Sequence, residues 1–260
     1  MNSTGYIAVG NEGTGTLAMS DDATMSVQYD FNVGDLGGAN GTFTLADRAA
    51  VTAGSFYAAK GDTSIASVTV AGGSFSQTNP EGSFVVGRGG SATLTISGTG
   101  QMTAAATAGM VLGAEDFSQS AAVNLDGGVL EVMKVSRGTG TNTALVFNGG
   151  TLKARPTASG SFVAGLDSLL VLPGGATIDS NGTRISIDQA IADGGGGGLA
   201  KTGAGTLVLG QANFYTGPTA VAAGTLQIDG DNSLATGAVT VQAGGTLRAR
   251  AWARSLFLKG

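Results

Sequence analysis

Carboxylates are the side chains here best able to do chemistry, because the 260 residues include neither His nor Cys. Without imidazole, Ser-His-Asp catalysis, Cys-His catalysis and His-ligated metals are excluded. Without thiols, so are disulfide scaffolds, zinc knuckles and iron–sulfur centres. The acids in question are Asp21-Asp22, Asp47, Glu115-Asp116 and Asp126. Such groups cleave glycosidic bonds when two of them, sometimes with Arg or Lys, face one sugar from neighbouring elements. Asp47 and Asp126 each follow the second strand of a repeat, but several repeats separate them, so they read as polar turn residues. Asp229-Gly230-Asp231-Asn232 opens like a calcium loop. It lacks the later Gly and the Glu at the twelfth position, and reads as a Gly-rich turn. Gly195 to Thr202 nearly spells a phosphate loop, but Ala200 stands where Gly must precede Lys201, and a strand follows instead of a helix. The Gly-Gly-x-Gly-x-Asp nonapeptide of calcium-binding β-rolls does not recur. Thr42 with Thr44 and Thr93 with Thr95 could start an outward Thr array of the kind that binds ice. The outward positions then become Ala122 and Asn124, Ala144 and Val146, Leu169 and Val171, which is not regular. Those apolar residues point instead to a covered face or a partner surface. No catalytic, cofactor-binding or metal-ligating residue is assigned, and no cofactor is expected.

The elements that would carry any site come from a repeat. Gly accounts for 46 residues, apolar types for 42% and charged types for only 12%, a composition of many short strands joined by tight turns. An apolar-x-apolar phrase, usually closed by Gly, recurs every 23 to 29 residues. Its first positions are Ile7, Phe31, Phe56, Phe84, Met110, Met133 and Phe162, and its third are Val9, Val33, Ala58, Val86, Leu112, Val135 and Ala164; all fourteen are apolar. A second strand follows each phrase. A third is marked by Gly-Gly, as at Gly127-Gly128, Gly149-Gly150, Gly174-Gly175 and Gly244-Gly245. Three short alternating strands per repeat predict one coil of a parallel β-helix, with the columns stacked inside. The expected fold is all-β: a single-stranded right-handed parallel β-helix (solenoid) of about ten coils of roughly 25 residues, some 45–50 Å long. Phe31, Phe56 and Phe84 become an interior aromatic ladder. The longer turns at 77–82 and 156–160 are expected to project from it.

The formal net charge is −5 and no basic run occurs, so nucleic acid is not an expected partner. No segment approaches the ~18 apolar residues of a membrane helix. Met1-Asn2-Ser3-Thr4-Gly5 shows neither the charged nor the apolar region of a signal peptide.

A more specific pattern lies in 194–247. It comprises Gly198-Leu199-Ala200-Lys201-Thr202-Gly203-Ala204-Gly205-Thr206-Leu207, then Asn213-Phe214-Tyr215-Thr216-Gly217, then Ala223-Gly224-Thr225-Leu226. This resembles the passenger-associated transport repeat of bacterial autotransporters, also called the autotransporter-associated β-strand repeat, at about 194–230. The upstream coils are similar in kind to the β-helical passengers that accompany it. The resemblance implies a non-enzymatic, surface-exposed or secreted passenger segment acting as a structural stalk or adhesin, with the repeat assisting export. Cell surface, outer membrane or extracellular space is the implied location. The implied partners are host or cell-surface glycans or proteins, and an outer-membrane barrel of the same polypeptide that this chain does not contain. The alternative is a polysaccharide-binding or polysaccharide-cleaving β-helix, a lyase or hydrolase. The organisation expected is β-helix coils over 1–193, transport-repeat coils over 194–248 and an irregular basic tail over 249–260. That tail holds Arg250, Arg254 and Lys259, breaks the strand alternation, and reads as a truncated or frame-shifted end.

Overall fold

The computed structural model describes residues 1–249. Among them every regular element is a β-strand, and every pairing between strands is parallel. The chain winds as a parallel β-solenoid whose coils present three faces. The first face carries the apolar-x-apolar phrases, from Ile7–Val9 to Gly245–Ala249. The second is an 8-stranded sheet running from Thr14–Met19 to Ala192–Asp193. The third begins at Asn2–Ser3 and ends at Val239–Val241. The first and third faces belong to one 20-stranded sheet, because Thr24–Val33 and Ala50–Ala58 run unbroken round the corner between them.

Alternation explains the faces. In Asn40–Leu45 and Ile65–Val70, Phe43, Leu45, Val68 and Val70 turn inward while Thr42, Thr44, Ser67 and Thr69 turn out. Backbone bonds link coil to coil, so inward residues stack as columns. On the second face one column is Phe43, Val68, Leu94, Val123, Leu145 and Leu169, each in register with the next. The predicted ladder is present: Phe31 and Phe56 stack 6.5 Å apart, and Phe56 lies 5.3 Å from Phe84. Phe75 from the third face and Phe43 from the second meet it edge-on, so the rings form a cluster filling the cross-section. The corners need Gly where coils approach closely. At Gly73 φ is +67°, and a Cβ would lie 2.1 Å from the carbonyl oxygen of Ala49 on the coil before; an alanine there would be both strained and obstructed.

Register corrects several expectations. Met110 pairs with Val135, not Met133, and Leu112 faces Arg137, so the first-face column shifts by two residues at the sixth coil. Phe162 is buried at a bulge between Ser161 and Val163, and Val135 pairs with Val163. The short turn after Val132 and the bulge at Phe162 are local irregularities that a constant spacing could not reveal. Leu169 and Val171 point inward, and the outward residue of that pair of rungs is Leu170, opposite Val146. Gly244-Gly245 opens a first-face strand, paired with Gly224–Ile228, not a third-face one. The turn at 77–82 does not wholly project. Gln77 is buried, donating to the carbonyls of Gly54 and Asn79 and accepting from the amide of Ala106.

The coil also changes form. After Asp193 the second face has no further strand among the described residues, so each later coil holds two strands, not three. Asn213, Tyr215 and Asn232 turn inward where the second face would have continued. Leu207, Leu209, Leu226 and Ile228 face the core as expected. Of the basic tail expected over 249–260, Ala249 closes the last strand and the remainder lies outside the described residues.

Candidate functional site

Of the acids singled out in the sequence, Asp21, Asp22 and Asp47 sit in turns that use their carboxylates locally. Asp21 and Asp47 both adopt left-handed backbone, at φ 55° and 57°, in stacked turns of adjacent coils. The carboxylate of Asp47 accepts from the amide of Asp21 at 3.1 Å. Next to them Arg48 holds Asp22 through two bonds of 2.7 and 2.9 Å, which draws that carboxyl below the usual range and raises the guanidinium. Acids on neighbouring coils are therefore present here, nearer than the spacing of Asp47 and Asp126 suggested. Asp126 is on a distant coil, in register with Ser97.

The two loops with binding-motif character are filled by their own chain. Asp193 accepts from the amide of Gly196 at 3.0 Å and from the hydroxyl of Thr216 at 3.2 Å. These bonds hold its carboxyl low, and they place an acid where a phosphate would have to lie. Asp231 accepts from the amide of Ser233, which likewise lowers its pKa. Asn232 points into the core, where its side-chain oxygen accepts from Asn213 at 3.0 Å. Asp229 accepts from Gln227. No group of three or more Asp or Glu able to hold a metal occurs among the described residues.

The transport-like segment contains an unexpected buried cation. Lys201 stands in the interior third-face column, in register with Ile178 before it and Val221 after it. It is fully buried, and its ammonium donates to the carbonyls of Thr202, Gly203 and Ala223 at 2.7, 2.8 and 3.0 Å. Burial pushes its pKa down to about 8, against the opposing pull of Asp179. Tyr215 is buried beside this unit. Its hydroxyl lies 2.7 Å from that of Thr219, and burial raises its pKa.

Charged and aromatic groups from several coils converge on the outer surface at a groove of about 580 Å³ beside the first face. It runs across five consecutive coils, which at ~4.8 Å per coil spans about 19 Å. Tyr6 comes from the first, Asp30 and Asp35 from the second, Lys60 and Asp62 from the third, Arg88 from the fourth and Glu115 from the fifth. Lys60 bridges Asp30 at 3.2 Å and Asp35 at 3.4 Å, and Arg88 holds Glu115 at 2.9 Å. Both cations lie over the ring of Tyr57, at 5.1 and 5.9 Å from its centre. Behind Asp35, the buried Asn32 donates to its carboxylate at 3.0 Å, while the Asn32 side-chain oxygen has no partner. Of these residues the sequence reading had singled out only Glu115. They lie about one coil apart, so a constant-offset search could have grouped them, but variable turn lengths blur that offset.

Residues 199–228 match the profile of the passenger-associated-transport-repeat. The chain carries that repeat. It comprises the strands Leu199–Thr202, Thr206–Leu209, Thr219–Val221 and Gly224–Ile228, the coils that lack the second face. A curated relative, the adhesin BmaC autotransporter of Brucella suis biovar 1, is 39% identical over 92 residues. That match takes in 35% of this chain and 3% of the relative's length. The resemblance to an autotransporter passenger is thereby borne out. No solved structure matches the chain.

Proposed function

We propose that this chain is a non-enzymatic segment of a cell-surface passenger, an extended stalk that also presents an adhesive surface, and that its transport repeat assists export. The observation that carries this reading is the seating of the repeat. Its strands continue the first and third faces without a break, with Ile185 in register with Leu207 and Ile178 with Lys201, so repeat and upstream coils are one stack. A solenoid of this kind is long for its mass and keeps its outer faces free, which suits a spacer. The similarity to part of an adhesin autotransporter supports the adhesive element, and the same resemblance implies an outer-membrane barrel as partner. The division into coils 1–193 and a transport unit 194–248 belongs to the same proposal. So does the absence of catalysis: Asp22 in its turn, and Asp30, Asp35 and Glu115 in the groove, are tied to Arg or Lys, not left as an acid and a base.

The test is display. The 260-residue chain is fused between an export signal and an autotransporter barrel, with a second fusion lacking 194–248. The first should become accessible to external protease and make cells adhere to host-cell monolayers or matrix. The second should reach the surface in markedly smaller amount. Equal display of both would remove the export role, and display without adherence would remove the adhesive one.

A further inference from the structure

We propose that the groove between Tyr6 and Glu115 is a binding site for an uncharged oligosaccharide. The groove offers acceptors and donors side by side: the carboxylates of Asp30, Asp35, Asp62 and Glu115, the ammonium of Lys60 and the guanidinium of Arg88. A ligand hydroxyl can both give and accept, so a ring bearing several hydroxyls can use both kinds at once. A ligand of a single charge cannot. An anion meets four carboxylates, and a cation meets Lys60 and Arg88. The excess of carboxylates does not turn the site into a cation trap, because Lys60 and Arg88 already hold Asp30, Asp35 and Glu115. Only the exposed Asp62 has no side-chain partner among the described residues. At the rim, Tyr6 is 59% exposed and Leu36 45%, which gives the apolar C–H face of a sugar ring a surface to lie on.

The residue behind Asp35 argues independently for a ligand. Asn32 occupies an outward column whose neighbouring positions are Ala8 before it and Tyr57, Val85 and Val111 after it. It is fully buried with one polar atom unpaired, an arrangement that costs stability. Stability alone would favour an apolar residue there, as Ala8 and Val85 are. What Asn32 does instead is fix the carboxylate of Asp35 at the groove surface, so the polar residue is maintained at a cost to the fold. The groove's direction also fits: it lies along the solenoid axis, open over about 19 Å, as a linear chain of sugar rings would require.

This inference gives the adhesive reading a ligand class but needs only the purified chain for its test, so either can fail without the other. Titration calorimetry would use the uncharged hexasaccharides of glucose (α- and β-linked), mannose and N-acetylglucosamine, beside a heparin hexasaccharide and hexalysine. At least one uncharged chain should bind, with an affinity that salt leaves unchanged. Tyr6→Ala should weaken it about tenfold, the scale of one lost aromatic contact, and Lys60→Met by at least as much. Tyr6 is on the surface, so its variant should melt at the wild-type temperature, whereas Lys60→Met must be checked for folding. Preferential binding of heparin or hexalysine overturns the proposal. So does uncharged binding indifferent to Tyr6→Ala, or no binding at millimolar ligand.

Discussion

Lys201 shows how one residue can oppose its surroundings. Every register neighbour in its column, from Met102 through Leu130, Leu152 and Ile178 to Val221, is apolar, yet its ammonium lies fully buried among three carbonyls. Desolvation works against the charge, and the carbonyls and Asp179 support it. The pKa of about 8 fixes the direction of a pH effect. Between pH 8 and the unfolded value near 10.5, the unfolded chain holds a proton that folded Lys201 has released. Stability should therefore rise as pH climbs through that window, whereas below pH 8 the cost of the buried charge is present in full. Denaturant titrations at pH 7, 8, 9 and 10 would show it, and Lys201→Met should abolish the slope. That variant should also lose about 1–3 kcal/mol at pH 7, because the carbonyls of Thr202, Gly203 and Ala223 would be buried without a donor. A Met variant as stable as the wild type at pH 7 would mean that the carbonyls find other partners. As a sequence feature Lys201 looked like one element of a motif. Only the register places it inside, since a cation in an alternating strand is ordinarily assigned to the solvent face.

At the scale of strands and coils, the legible part was what repeats. The first five members of each first-face column are in register as expected, because inward positions must be apolar in every coil and the period of two fixes which ones they are. The sixth fails at Met133, where a shortened turn moves the chain by two residues and leaves the inside-outside pattern intact. Apolarity alone cannot detect a shift of two. The missing second-face strand after Asp193 was illegible for another reason. Asn213 and Asn232 replace strand pairing with side-chain bonds: Asn213 accepts from the amide of Ile191 and donates to Asn232, and Asn213 donates also to the carbonyl of Gln211. Polar residues in a Gly-rich stretch read as a surface loop. The groove stayed hidden because each coil supplies only one or two of its residues. The aromatic cluster tests the packing that was read correctly. Phe84 is 1% exposed and packs on Phe56, with Met110 in register on the next coil. Phe84→Ala should cost about 3–5 kcal/mol, the range for a large aromatic truncated in a core. Equilibrium unfolding in urea measures it, and a loss under about 1 kcal/mol would show that the neighbouring coils close the cavity.

The whole molecule is a one-dimensional stack, so damage should stay near where it is made. Each coil packs chiefly on its neighbours, and stability is close to a sum of coil and interface contributions. The coils differ in what they bury. Over residues 30–171 three faces enclose a core of Phe, Leu, Val and Ile, whereas past Asp193 two strands and the Asn213, Tyr215 and Asn232 side chains enclose a narrower one. Toward the last described coil, Leu234 is 57% exposed and Val241 44%, and the strands Val239–Val241 and Gly245–Ala249 pair on one side only among the described residues. This end should therefore open first. Leu226 is the position that reports it: it is fully buried, between Leu207 and Leu247 in a single column. A carboxylate there has no partner to meet, a cost of several kcal/mol. Leu226→Asp should bring amide exchange in 199–249 close to the unfolded rate while the strands of 30–171 keep wild-type protection. Mass-spectrometric hydrogen exchange on wild type and variant resolves the two regions. Protection lost evenly from residue 7 onward would mean that the solenoid unfolds as one cooperative body, and no loss near 200–247 would mean that Leu226 does not hold the terminal coils together. The localised outcome is expected because the second sheet ends at Ala192–Asp193, so that past it, among the described residues, only two strand pairings, not three, join each coil to the next.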